Sequence, residues 1–235
     1  MTAGPRAMLF DLDGTLVDSA HGIAWAVNQT LGELGHPSAD DALVRTWIGE
    51  GARFLLHRAL RHVGADLPDG DAFDRVLALL MRHYAASLPR QARAYPGVDD
   101  ALRGLRARGV AVALCTNKPE RFIDPLLDAL GWRALFDGIV GGDTLPECKP
   151  SALPLLHLAR AFDAPVEACV MVGDSHTDAA AARAAGMPLV LVDYGYHREF
   201  DLHGAGAVAV TGDLRSLLQL PAPGGVAHAM TTGAA

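Results

Sequence analysis

The chain has 235 residues, half of them hydrophobic, and 27 acidic against 20 basic side chains give a formal net charge of −7. This length and apolar content suit a core domain carrying a smaller insert, and the acidic balance argues against nucleic acid or an anionic membrane as partner. No apolar run approaches the ~18 residues of a membrane span, and Cys115, Cys148 and Cys169 lack CxxC spacing, so core thiols of a reducing, cytoplasmic compartment are expected.

The first predicted element is a strand over the apolar run Ala7 to Phe10, which leads into FDLDGTLVDS, residues 10 to 19. After Asp18 the pattern turns helical: Ile23, Ala26, Val27, Thr30, Leu31 and Leu34 recur at three- and four-residue steps, and Gly35 and Pro37 stop the helix. Asp40 to Trp47, Arg53 to Val63 and Asp71 to Leu88 continue helically, so residues 18 to 92 read as a helical insert without a strand.

From Pro96 helix and strand alternate. Helices are predicted over Asp99 to Arg108, Pro119 to Leu130, Ser151 to Phe162 and Asp178 to Ala185; strands over 110 to 115, the GIV of 136 to 143, 168 to 174 and 188 to 195. A weak strand GAVAV and a helix Asp213 to Leu220 close the series, and PAPGGVAHAMTTGAA (221 to 235) has the composition of a flexible tail. Apolar strands alternating with helices imply an α/β fold with a parallel sheet covered on both faces.

Ligands of such sheets bind at the carboxyl ends of the strands. Asp11 and Asp13 follow the first strand, Thr116, Asn117 and Lys118 follow 110 to 115, a loop after GIV reaches Lys149, and Gly173, Asp174, Ser175 and Asp178 follow 168 to 174. Two aspartates two positions apart need a cation or a shared proton to coexist. Three carboxylates, a hydroxyl and a lysine on one rim make a magnesium and phosphate site: Mg²⁺ takes carboxylate oxygens, Thr116 can bond a phosphoryl oxygen and Lys149 supplies positive charge. Singly, Asp13, Thr15 and Asp178 also suit turn or helix caps. The chain's only lysines are Lys118 and Lys149. No histidine forms an HxH or HxxxH pair, and His21 and His176 receive no role.

DLDGTLVDS, LCTNK, the lysine of CKP and VGDSHTD, in this order, resemble the four motifs of the haloacid dehalogenase superfamily over nearly the whole chain. The resemblance implies a Rossmann-like core, residues 1 to 17 and 93 to 220, with an α-helical cap, 18 to 92, inserted between the first two motifs. It implies Asp11 as nucleophile forming an aspartyl-phosphate, and Asp13 as general acid and base. It also implies Mg²⁺ held by Asp11, Asp174 and the backbone carbonyl of Asp13. Thr116 and Lys149 would hold the phosphoryl group, with Gly14, Asn117, Ser175 and Asp178 around it, Asp178 orienting Lys149 or metal-bound water.

Asp13 argues against dehalogenase chemistry, which lacks that aspartate. Phosphonatases need a cap lysine, absent from 18 to 92, and β-phosphoglucomutases place a histidine where Ile23 stands. LVDSAHGIAWAVN, RTWIGEGARFLLHRAL, CTNKPERFIDPLL and VDYGY resemble the phosphoglycolate phosphatase subfamily, whose specificity loop WIGEG matches with Gly49, Glu50 and Gly51. KPSALPLL departs from the subfamily's usual KPxPxPL, and His21 from its usual proline. The expected substrate is therefore 2-phosphoglycolate, with another small phosphorylated metabolite, a sugar phosphate or N-acetylmuramate 6-phosphate, as the alternative and an inert binding module as the remote one. A monomer and a homodimer are both compatible with the sequence.

Overall fold

The computed structural model describes residues 4–91, 93–197 and 200–219, so the proposed tail, 221 to 235, lies outside the described residues. In chain order the elements begin with β1 (Ala7–Phe10), β2 (Val17–Asp18), α1 (Ala20–Glu33), α2 (Asp41–Arg45), α3 (Ala52–His62), α4 (Gly70–Gln91) and β3 (Arg93–Ala94). They continue with α5 (Val98–Ala107), β4 (Ala111–Cys115), α6 (Ile123–Leu130), β5 (Gly138–Val140) and α7 (Leu153–Ala161). The chain then forms β6 (Cys169–Gly173), α8 (His176–Ala185), β7 (Leu189–Val192) and β8 (Ala209–Thr211).

Six strands form one sheet in the order β5-β4-β1-β6-β7-β8, every pair parallel. β1 is central, Phe10 standing opposite Leu114 of β4 and Val172 of β6. The chain builds outward from β1 to β5 on one side, then returns beside β1 to build β6 to β8. The ends of β1, β4 and β6 therefore meet at the switch point where such sheets hold ligands.

The continuous apolar runs have their cause in burial on both faces. Met8, Phe10, Val112, Leu114, Val170 and Val172 belong to one buried cluster, shared with α1, α4, α5 and α6. Their neighbours Ala7, Leu9, Ala113, Cys115, Cys169 and Met171 belong to another, with α7 and α8. Alternate side chains on a strand point to opposite faces, so one uninterrupted run serves two cores.

Several boundaries differ from the sequence expectation. Pro119 to Leu130 is a 3-10 turn, Glu120–Phe122, followed by α6. Pro125 has no N–H to give the carbonyl four residues back, so a continuous α-helix is interrupted there. The closing segment is a 3-10 helix, Leu214–Gln219, and GAVAV becomes strand only from Ala209, just after the Val208 amide donates to Leu189 O at 2.8 Å. The helix expected from Asp178 starts two residues earlier, because Ser175 caps it in a reciprocal box with Asp178. A two-stranded antiparallel ribbon, Val17 opposite Ala94 and Asp18 opposite Arg93, adds strand at the edge of the stretch read as wholly helical. Helices α1 to α4 lie between its strands, so the chain leaves and re-enters the sheet region at one place.

Candidate active site

Asp11 leaves the end of β1, its amide donating to Val172 O of β6 at 2.9 Å. Its carboxylate is 3.0 Å from Lys149 Nζ, which also reaches Asp178 Oδ1 at 2.7 Å. All three side chains are buried. Asp178 is further fixed by its other oxygen, which accepts from the amides of Asp174 (3.2 Å) and Ser175 (3.0 Å) and from Ser175 Oγ (2.6 Å). The cap of α8 and the orientation of the lysine are thus one device.

Asp174, at the end of β6, accepts from Thr15 Oγ1 on Oδ1 (2.7 Å) and from the Tyr196 amide on Oδ2 (2.6 Å). Two glycines leave room for it. A Cβ on Gly14, whose φ is +97°, would lie 2.4 Å from Asp174 Oδ2, and one on Gly195 would lie 2.3 Å from Asp174 Cβ. The loop after β1 and the loop after β7 therefore close around this carboxylate.

Oxygens of Asp11, Asp174 and Asp178 lie within 4.8 Å of one another. Burial, opposed by Lys149 and reinforced by Asp178, raises the Asp11 pKa to about 6. Burial and the charges of Asp11 and Asp178 push Asp174 well above the ordinary carboxylate range. Burial would depress Lys149, but Asp11 and Asp178 reverse this and hold its ammonium above its usual value. Three buried carboxylates against one ammonium leave two negative charges, and all the donors are hard oxygens. That composition fits a divalent cation, which would let Asp11 and Asp174 both ionise.

Asp13 sits apart from this cluster. Its carboxylate accepts from Ser19 Oγ (2.6 Å) and bidentately from Lys118 Nζ (2.7 and 2.8 Å). Its side chain therefore has a counter-ion of its own and is not among the clustered carboxylates; only its main-chain carbonyl is left as the ligand expected from the motif. Thr116 follows β4, its amide bonded to Val140 O (3.0 Å), and its hydroxyl accepts from the Lys118 amide at 3.3 Å.

Asn117 donates its side-chain amide to Gly49 O (3.1 Å) and Lys149 O (2.8 Å), while its Oδ1 is buried without a partner among the described residues. Gly49 and Gly51 line a cavity together with Asp11, Asp13, Thr116 and Lys118. Glu50 does not: it bonds Arg58 at 3.1 Å and lines a separate recess with Ser175, His176 and Tyr196. His21 pairs with Asp41 on the surface, and the His176 ring faces Phe200.

Residues passed over in the motif reading complete the surroundings. Tyr196 OH accepts from the amides of Ser19 and Ala20 (2.8 and 3.0 Å) and donates to Asp18 Oδ1 at 2.7 Å, while Arg45 stacks on its ring. Tyr84 of α4 lies over Lys118, the ammonium 4.8 Å from the ring centroid. Burial, opposed by Lys118 and reinforced by Asp13, holds its phenol proton on firmly. The available signals for Lys118 were the scarcity of lysine and its place in LCTNK, and Tyr196 lay within VDYGY but received no role; Tyr84 had no signal, being joined to the site only by tertiary contact.

Residues 5–186 match the family model described as haloacid dehalogenase-like hydrolase. The chain is 45% identical over 216 residues to a phosphoglycolate phosphatase of Pseudomonas putida, covering 91% of this chain and 79% of that one. It is 43% identical over 227 residues to the phosphoglycolate phosphatase of Rhodospirillum rubrum, covering 94% of each. The fold superposes with a TM-score of 0.84 on the crystal structure of a predicted phosphoglycolate phosphatase from Haemophilus somnus, at 32% identity over 91% of this chain and 96% of that one.

Proposed function

The chain belongs to the haloacid dehalogenase-like hydrolases, and from that premise we propose that it hydrolyses 2-phosphoglycolate to glycolate and phosphate with Mg²⁺ as cofactor. The observation that carries the chemistry is the buried group of Asp11, Asp174, Asp178 and Lys149 at the switch point of the sheet. The substrate rests on extensive similarity to phosphoglycolate phosphatases.

In the proposed reaction an Asp11 carboxylate oxygen attacks phosphorus and forms an aspartyl-phosphate as the ester P–O bond breaks. Asp13, once protonated, gives that proton to the departing glycolate oxygen, then regains one from the water that attacks the aspartyl-phosphate. Phosphate leaves and Asp11 is restored. Thr116 donates to a phosphoryl oxygen, and Lys149, locked by Asp178, places a fixed positive charge beside the transferring group. Asp11, Asp174 and the carbonyl of Asp13 would hold the Mg²⁺, which when bound would supply Lewis-acid charge at the phosphoryl group.

Helices α1 to α4 form the cap in this reading. Gly49 and Gly51 place the WIGEG loop across the cavity that contains Asp11, where it excludes water from the aspartyl-phosphate.

The test is a kinetic panel of 2-phosphoglycolate, sugar phosphates, nucleotides, N-acetylmuramate 6-phosphate and pyrophosphate, with and without Mg²⁺. The highest kcat/KM is expected for 2-phosphoglycolate, with loss of turnover in EDTA. A large preference for a hexose phosphate would overturn the substrate, and full activity in EDTA the metal.

A further inference from the structure

Both lysines of the chain are buried at the site, but they stand in different surroundings. Lys149 is engaged by Asp11 and Asp178. Among the described residues Lys118 is the only cationic side chain lining the cavity that Asp11 and Asp13 open into, and much of the rest of the wall, including Ile23, Ala26, Leu55 and Met81, is apolar. Its ammonium gives two hydrogen bonds to Asp13, and a lysine carries three N–H donors. One donor remains.

Beside it stands Tyr84, 6% exposed, on the same cavity wall. Its hydroxyl is buried without a hydrogen bond of ordinary geometry among the described residues; its near partner is the Lys118 ammonium, which can only donate, so the phenol's own proton has no acceptor. Leaving a buried hydroxyl proton unsatisfied is unfavourable, a cost that an acceptor on a bound molecule removes. An ammonium donor not committed to Asp13 and a phenol proton with no acceptor, set in a largely apolar wall, together ask for a small anion with more than one acceptor oxygen.

The proposed substrate supplies one. With its phosphorus at Asp11 and its ester oxygen toward Asp13, 2-phosphoglycolate carries a carboxylate one methylene beyond that oxygen. Resting on that reading, we propose that Lys118 Nζ, from the end of β4, and Tyr84 OH, from α4, jointly bind the carboxylate of the leaving group and so select phosphate esters with an anion at that position. Because one partner comes from the sheet and the other from the helices, the correct leaving group also ties the two together.

The experiment compares 2-phosphoglycolate with 2-hydroxyethyl phosphate, which has the same chain length but a hydroxymethyl group in place of the carboxylate. The readout is the ratio of their kcat/KM values in the wild type, Lys118→Met, Lys118→Arg and Tyr84→Phe. Loss of Asp13's counter-ion alone would slow both esters and leave the ratio unchanged. The ratio is expected to fall about 100-fold or more in Lys118→Met and about tenfold in Tyr84→Phe, the range for one charged and one neutral hydrogen bond, with partial recovery in Lys118→Arg.

An unchanged ratio in a folded variant of either residue overturns the joint subsite. If Lys118→Met does not fold, Tyr84→Phe, which deletes a single oxygen, decides alone. A wild type that fails to hydrolyse 2-phosphoglycolate overturns the substrate reading and this inference with it; a wild type that prefers 2-phosphoglycolate with unchanged ratios in the variants overturns this inference only.

Discussion

The side-chain amide of Asn117 donates to the main-chain carbonyl of Gly49 at 3.1 Å, joining the end of β4 to the loop before α3. The same amide donates to Lys149 O at 2.8 Å. One residue therefore holds the helical loop over the site and steadies the backbone of the lysine within it.

Removing that amide should act on both. Asn117→Ala loses two hydrogen bonds of about 0.5–1.5 kcal/mol each, so kcat/KM for 2-phosphoglycolate is expected to fall about ten- to 100-fold. The measurement is steady-state kinetics beside a thermal melt. Undiminished kcat/KM would mean that the loop is held in place without Asn117.

The two motif aspartates should separate cleanly. Asp11→Asn abolishes turnover with the fold retained, because an amide cannot form the acyl phosphate. Asp13→Asn costs on the order of 10² to 10⁴ in rate, the usual worth of a positioned acid and base, and most for poor leaving groups. It also leaves Lys118 buried without its carboxylate, and breaking a buried pair costs about 3–5 kcal/mol, so a lowered Tm should accompany the lost rate. A tenth of wild-type activity in Asp11→Asn would remove Asp11 as nucleophile.

The parallel sheet was legible because each apolar run is followed within a few residues by polar groups and a turn, and because burial on both faces removes alternation. The rim was legible for the same reason: Asp11, Thr116 and Asp174 are each the first polar group after a strand. Tyr84 was not legible, since it meets Lys118 only across folded elements, and for Tyr196, though it lies within VDYGY, the bond to Asp18 was not. Short elements such as Val17–Asp18 depend on a partner strand far along the chain, and two residues carry no periodicity.

The acidic cluster sets a pH dependence whose sign is fixed. Burial raises folded Asp11 from 3.8 to about 6 and Asp174 well above 3.8. Without metal these groups hold protons more tightly folded than unfolded, so their contribution to stability is present below pH 3.8 and is lost as pH rises through about 6. Cation binding needs the ionised carboxylates and runs the other way. The Tm gain from saturating Mg²⁺ over EDTA is expected to be larger at about pH 7.5 than at about pH 5. Equal gains at both would place the metal away from Asp11 and Asp174.

Gly14→Ala tests the space around Asp174. The new Cβ would sit 2.4 Å from Asp174 Oδ2 and 2.9 Å from the Tyr196 ring, at a φ of +97°. Asp174 must move, so the Mg²⁺ needed for half-maximal activity should rise at least about tenfold, the range seen when groups orienting metal ligands are lost. Gly35→Ala is the control: φ is +78° there too, but nothing lies within 4 Å of the new Cβ. It should lower Tm without changing the Mg²⁺ requirement. Equal Mg²⁺ requirements in the two variants would free Gly14 of any part in the metal site.

The WIGEG loop carries the last prediction. Gly51 has φ +89°, which disfavours a β-branched residue, and a Cβ there would point to within 3.6 Å of Asn117 O. It also stands immediately before α3 and lines the cavity of Asp11. Gly51→Val should therefore reshape the loop over the substrate while the strand-end residues keep their contacts. KM for 2-phosphoglycolate is expected to rise at least tenfold, about 1.4 kcal/mol of binding where KM approximates a dissociation constant. Hydrolysis of p-nitrophenyl phosphate, whose aryl group has no carboxylate to place, should change much less. Equal losses on both esters would point to misfolding of the helical segment, and no loss on either would leave WIGEG as an interhelical turn with no part in substrate choice.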